Sequence, residues 1–152
     1  MKTLWSGLLF AACTSVVLGA TTMGPGSMPH IPTGAVLEKL VNESFKNVDS
    51  DKDGLIEPYE FDTLIIVADS DDNGCMTLDE YKKFSAGTPE IATKIYKHFD
   101  PDNSDCLTVD KVFGEFAAMD VNHNNKVTPQ EFKQYYINLL TLLFGQQQQT
   151  VG

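Results

Sequence analysis

The chain has 152 residues, with 21 Asp and Glu against 11 basic residues and a formal net charge of -10, a length that suits one compact domain or two very small ones. All 11 basic residues are Lys. The chain therefore lacks both the clustered cationic surface that holds nucleic acid or anionic membrane and the planar guanidinium fork that grips phosphate at two points. Nucleic-acid and polyanion binding are excluded on these grounds, and cations become the expected partners.

In chain order, residues 1–20 open with Lys2, continue as a mostly apolar run over 4–18, and end on the small residues Gly19 and Ala20. That is the pattern of a secretory signal peptide, and the run is shorter than the roughly 20 residues a membrane span needs. The chain is thus expected to be secreted and extracellular, with no membrane span. Residues 21–33 carry Gly24, Pro25, Gly26, Pro29 and Pro32 without an apolar period and are expected to form a flexible leader. Residues 145–152 include four consecutive Gln and are expected to be a disordered tail. The folded part is then 34–144. Cys13 falls in the signal, which leaves Cys75 and Cys106. In an oxidising compartment two such residues are expected to form a disulfide, the alternative being two buried thiols. Asn42-Glu43-Ser44 is an N-glycosylation sequon on a predicted helix.

Within 34–144, apolar residues recur at helical spacing: Leu37, Leu40, Val41, Phe45 and Val48; Phe61, Leu64, Ile65 and Ala68; Ile91, Ile95, Tyr96 and Phe99; and Phe132, Tyr135, Tyr136, Leu139, Leu140 and Leu143. The predicted class is all-α. The chain also repeats itself. At an offset of 51 residues Phe45 falls on Tyr96, Asp49 on Asp100, Ile65 on Phe116, Asp69 on Asp120 and Glu80 on Glu131. Each unit holds two similar halves 20 residues apart, so one acidic element occurs four times, at 49–60, 69–80, 100–111 and 120–131.

In the first element Asp49, Asp51 and Asp53 alternate, Gly54 follows, and Glu60 comes last. In the second the order is Asp69, Asp71, Asn73, Gly74 and Glu80. Alternate side-chain oxygens, a tight turn and a distal two-oxygen carboxylate are what a hard cation with six to eight oxygen ligands requires. The backbone carbonyls of Leu55 and Cys75 fall between the turn and the closing acid, and Glu57 stands where it would act through water. These elements resemble the calcium loops of the EF-hand superfamily. The resemblance implies a helix-loop-helix array, small β-bridges at Ile56, Met76, Leu107 and Val127, and helix anchors at Phe61, Tyr81, Val112 and Phe132.

The other two elements have drifted. In 120–131 the oxygens would come from Asp120, Asn122, Asn124, the carbonyl of Lys126 and Glu131, with Asn125 at the turn, which implies a weaker site. In 100–111 Asp102 and Ser104 are serviceable, but Lys111 replaces the closing Glu, so this degenerate loop is expected to take no ion. The expectation is therefore Ca2+ at two strong sites and one weaker one. Only 61–68 and 112–119 separate the loops within each unit, so a short helix must be shared between neighbours. Loops at its two ends cannot easily bridge each other. The second and third loops, further apart in sequence, are expected to form the bridged pair.

No nucleophile or zinc spacing surrounds His30, His98 or His123, so an enzyme is not expected. The reading favoured is a constitutive extracellular calcium binder of matrix, shell or secreted fluid, with matrix or mineral among its partners. The alternative is a calcium-dependent sensor that binds a protein partner. Its usual Met-rich groove is poorly provided for by Met76 and Met119.

Overall fold

The computed structural model describes residues 31, 33–85 and 88–145. The expected signal peptide, nearly all of the expected leader, Cys13, His30 and residues 146–152 of the expected tail lie outside the described residues.

The described residues form six helices: α1 Ala35–Val48, α2 Pro58–Ala68, α3 Leu78–Phe84, α4 Pro89–Phe99, α5 Val109–Met119 and α6 Pro129–Phe144. Local chemistry sets their starts. The hydroxyls of Thr77, Thr88, Thr108 and Thr128 accept the N–H three residues on, and Pro sits in the first turn of α2, α4 and α6. Reciprocal capping boxes join Thr77 with Glu80 and Thr128 with Glu131, and Glu60 Oε2 accepts the Glu57 N–H. The acid that closes each of these loops is thus also the third residue of its exit helix. For this reason α2 begins at Pro58, inside the loop, and runs for 11 residues.

Helix α2 leaves the first loop and enters the second, and α5 does the same for the third and fourth. The loops pair as two isolated antiparallel bridges, Met76 with Leu107 and Ile56 with Val127. The first is the pair expected from the sequence. The second joins the first loop to the fourth, so the pairing is nested. The helices follow it, with α1 against α6, α2 against α5 and α3 against α4.

This nesting obeys an internal two-fold relation between the repeated units. Exchanging the units maps the bridge between loops one and four onto that between loops three and two, and leaves the α2–α5 contact on the axis. Side chains obey the same operation. Phe45 meets Phe132 and Tyr96 meets Tyr81, each with ring centroids 5.5 Å apart.

The predicted apolar stripes are buried, except that Tyr135 and Leu143 at the α6 margin are half-buried. All four bridge residues and all four helix anchors are buried as well. Where α2 and α5 meet the inner loops, the apolar core leaves a cavity of only about 10 Å³, no larger than one water would need.

Glu115 lines that cavity and accepts a hydrogen bond from the Tyr135 hydroxyl, with His98 Nε2 4.0 Å away. Burial pushes the Glu115 carboxyl above its usual range. Its burial therefore costs stability as pH rises from the ordinary carboxyl value through that raised value, and the cost vanishes where the group is protonated in both states. Glu115→Gln should raise the thermal midpoint by a few degrees at pH 7 and lose that advantage at about pH 4 and below. Unfolding monitored by circular dichroism at the two pH values checks this.

Candidate metal centre

All four loops share one backbone scaffold. The carboxylates of Asp49, Asp69, Asp100 and Asp120, each following a helix end, accept the N–H of Gly54, Gly74, Asp105 and Asn125 at 3.0, 2.7, 2.8 and 2.7 Å. Those turn residues take positive φ, 87° and 84° for the two glycines and 53° and 61° for Asp105 and Asn125. Asp and Asn tolerate that region because their short polar side chains bond locally. A second positive-φ position precedes each turn by two residues, at Lys52, Asp72, Asn103 and His123. This explains the placement of His123, which is an exposed turn residue. Two residues before the carbonyls of Leu55, Cys75 and Lys126, the side chains of Asp53, Asn73 and Asn124 accept the N–H of those same residues at 2.8 Å. The carbonyl-bearing residues thus sit on matching turns.

The first loop brings its acids together. Oxygens of Asp49, Asp51 and Asp53 lie within 4.8 Å of one another, and so do those of Asp51, Glu57 and Glu60. Asp49 Oδ1 and Glu57 Oε2 are buried without a hydrogen-bond partner. Glu57 meets the Lys126 ammonium through its other oxygen, but the buried, unpartnered Asp49 oxygen facing other carboxylates is costly unless a cation joins it. The donor set is all oxygen and flexible, which fits calcium better than a metal that prefers nitrogen or sulfur. The second loop gathers Asp69, Asp71 and Glu80 in the same way.

The closing carboxylates are held from behind. Glu60 Oε1 accepts the Ser50 N–H at 2.7 Å and hydroxyl at 2.9 Å, and Glu80 Oε1 accepts those of Ser70 at 2.8 and 2.7 Å. The Ser70 hydroxyl, then the Thr77 N–H, draw the Glu80 carboxyl down to about 2, so it stays ionised. The sequence reading missed these serines, although their place directly after the first acid of each loop was visible. It also missed Tyr59, whose hydroxyl bonds Asp51 Oδ2 at 2.8 Å and holds that carboxyl below its usual range.

The fourth loop differs at the same point. Val121 stands where the serines stand, and Asn122 Nδ2 donates to Glu131 Oε1 at 2.7 Å instead. The Asn122 amide is thereby engaged with the closing carboxylate, and only Asp120 and Glu131 carry charge among the five expected ligands. The Lys126 ammonium reaches across the bridge to Glu57 Oε1 at 2.9 Å and couples this loop to the first.

In the third loop the Lys111 ammonium lies 2.9 Å from Asp100 Oδ1, 2.7 Å from Asp102 Oδ1 and 2.6 Å from Ser104 Oγ. Beside it, Cys75 and Cys106 form a disulfide with Cα atoms 4.7 Å apart. A diagonal spacing of about 7 Å between these positions would sit at the limit for a bridge. The observed spacing lies well inside that limit.

A family model described as EF hand matches the chain over residues 41–65 and 113–134, which hold the first and fourth loops with parts of their flanking helices. No curated protein and no solved structure matches it. Among the described residues no helix is long and apolar enough to cross a membrane. Two matched segments, placed on a nested array of six helices and four loops, identify an all-α EF-hand fold, and its loops indicate calcium binding.

Proposed function

We propose that the chain is a secreted, constitutive calcium binder of an extracellular matrix, shell or fluid. It holds Ca2+ strongly in loops 49–60 and 69–80 and more weakly in 120–131, and the degenerate loop 100–111 takes none. The observation that carries the constitutive reading is the Cys75–Cys106 disulfide, which ties the second loop to the third whatever the ion content. A disulfide belongs to an oxidising compartment, in keeping with the signal-like residues 1–20. Closing a segment with sequence separation 31 stabilises the fold by about 3 to 4 kcal/mol in the chain-entropy account. Extracellular calcium is abundant enough to fill sites with dissociation constants of about 10⁻⁴ to 10⁻³ M, so such a protein does not need to switch. Met76 and Met119 are both buried and leave no Met-lined surface among the described residues.

The rival reading, a sensor with a protein partner, draws support from the exposed Ile66 and Val67 on α2 and Phe113 on α5. Calcium titration in the presence of an apolar-surface dye separates the two. The constitutive reading expects no rise in dye fluorescence, and a calcium-dependent rise favours the sensor.

Calorimetry on the secreted chain in calcium-free buffer should show two strong binding events and one weaker one. Absence of any binding heat at millimolar calcium would overturn the reading. Glu60→Gln and Glu80→Gln should each remove one strong event, since each deletes a two-oxygen ligand. Asn122→Asp should strengthen the weak one, because it adds a carboxylate to a loop that has only two. Intact mass before and after alkylation should show no free thiol until the protein is reduced. Two alkylated cysteines without reduction would exclude the disulfide.

A further inference from the structure

We propose that Lys111 is a tethered cation that occupies the ion position of the third loop, so that this loop and its bridge to the second loop stand in the ion-bound arrangement at any calcium concentration. The inference rests on the reading of 100–111 as an EF-hand loop. It goes beyond the absence of calcium there, because it assigns the position a permanent occupant.

The geometry is that of a filled site. An ammonium has three N–H donors and no acceptor. Asp100, Asp102 and Ser104, the first three alternate ligand positions of the loop, each lie within 2.9 Å of Lys111 Nζ. The spacing is somewhat longer than the about 2.3–2.6 Å of calcium to oxygen, as befits a hydrogen-bonded cation. The ammonium answers Asp100, which is 3 % exposed and would be a costly buried charge alone. The Lys111 side chain itself keeps 28 % exposure, in keeping with a stem that enters the loop from the exit helix.

The loop so held is connected to its neighbour. Met76 N–H donates to Leu107 O at 2.9 Å and Leu107 N–H to Met76 O at 3.0 Å. Asp105 Oδ1 accepts the Leu78 N–H at 2.8 Å, which fixes the start of the second loop's exit helix. The Cys75–Cys106 disulfide completes the join. The second loop therefore meets calcium with its partner already in place, whereas the lysine between the first and fourth loops, Lys126, meets only Glu57 across their bridge. The bridge between the second and third loops is thus preset by the protein's own lysine.

Lysine side-chain ¹⁵Nζ nuclear magnetic resonance on the full chain tests this. In calcium-free buffer one ammonium signal, assigned by its loss in Lys111→Met, should be protected from solvent exchange, and it should persist through a calcium titration to millimolar levels. An unprotected Lys111 signal, or one that calcium abolishes, overturns the proposal. Lys111→Met should also speed amide exchange at Asp105 and Leu107 by about tenfold or more in calcium-free buffer. Unchanged exchange there would likewise overturn it. Because the first readout uses no calcium, a protected Lys111 in a chain that binds no ion would sink the calcium reading and leave this one standing.

Discussion

Two pairs of backbone hydrogen bonds, between Ile56 and Val127 and between Met76 and Leu107, organise the rest of the molecule. Each bridge joins loops that the chain supplies from different halves. The constraint behind this is helix length. Helices α2 and α5 have 11 residues each, about 16 Å, and each carries a loop at either end. Two loops held apart by a rigid rod cannot pair with each other, so each must find its partner in the other unit. The nested pairing, the contact of α2 with α5 on the internal axis, and the matched aromatic pairs Phe45–Phe132 and Tyr81–Tyr96 all follow.

The same scaffold is used four times with different charge. Each loop starts with a buried or nearly buried Asp that accepts the turn N–H, so backbone shape is maintained even where ligand chemistry has changed. The first two loops concentrate carboxylates that repel one another unless a cation enters. The fourth reduces that repulsion with amides, at the expense of ligand strength. The third balances it internally with Lys111. Neighbouring loops are coupled as well, through Lys126 to Glu57 on one bridge and through the disulfide on the other. A cation in one loop thus bears on the partner through contacts that are local and short.

The closing acid shows how folding and binding share residues. Glu60, Glu80 and Glu131 each accept the N–H of the residue that caps their own helix, and the same carboxylates are the expected two-oxygen ligands. Where Lys111 replaces this acid the capping box is absent, but the Thr108 hydroxyl still accepts the Lys111 N–H and the helix forms. Helix initiation therefore survives the loss of the ligand, which allowed the third loop to change its chemistry without losing its shape.

Much was legible in the sequence because it is local. Alternating acids, the positive-φ turn residues and the 3.6-residue apolar stripes report short-range geometry, and a repeat offset of 51 residues already implied two related units. The pairing of the second and third loops was expected from the short shared helices together with the longer segment between those two loops. The bridge of the first loop to the fourth was not read, since nothing near Ile56 points to Val127, 71 positions away in sequence. The serines behind Glu60 and Glu80, the Tyr59 contact to Asp51 and the seat of the Lys111 ammonium depend on side-chain direction, which residue type and spacing do not specify. The sequence by itself determined four loops and their helices, because those depend on neighbours within a few residues. Only the tertiary structure decided which loops face each other and which cation lies in the third, because both depend on distances closed through the common core.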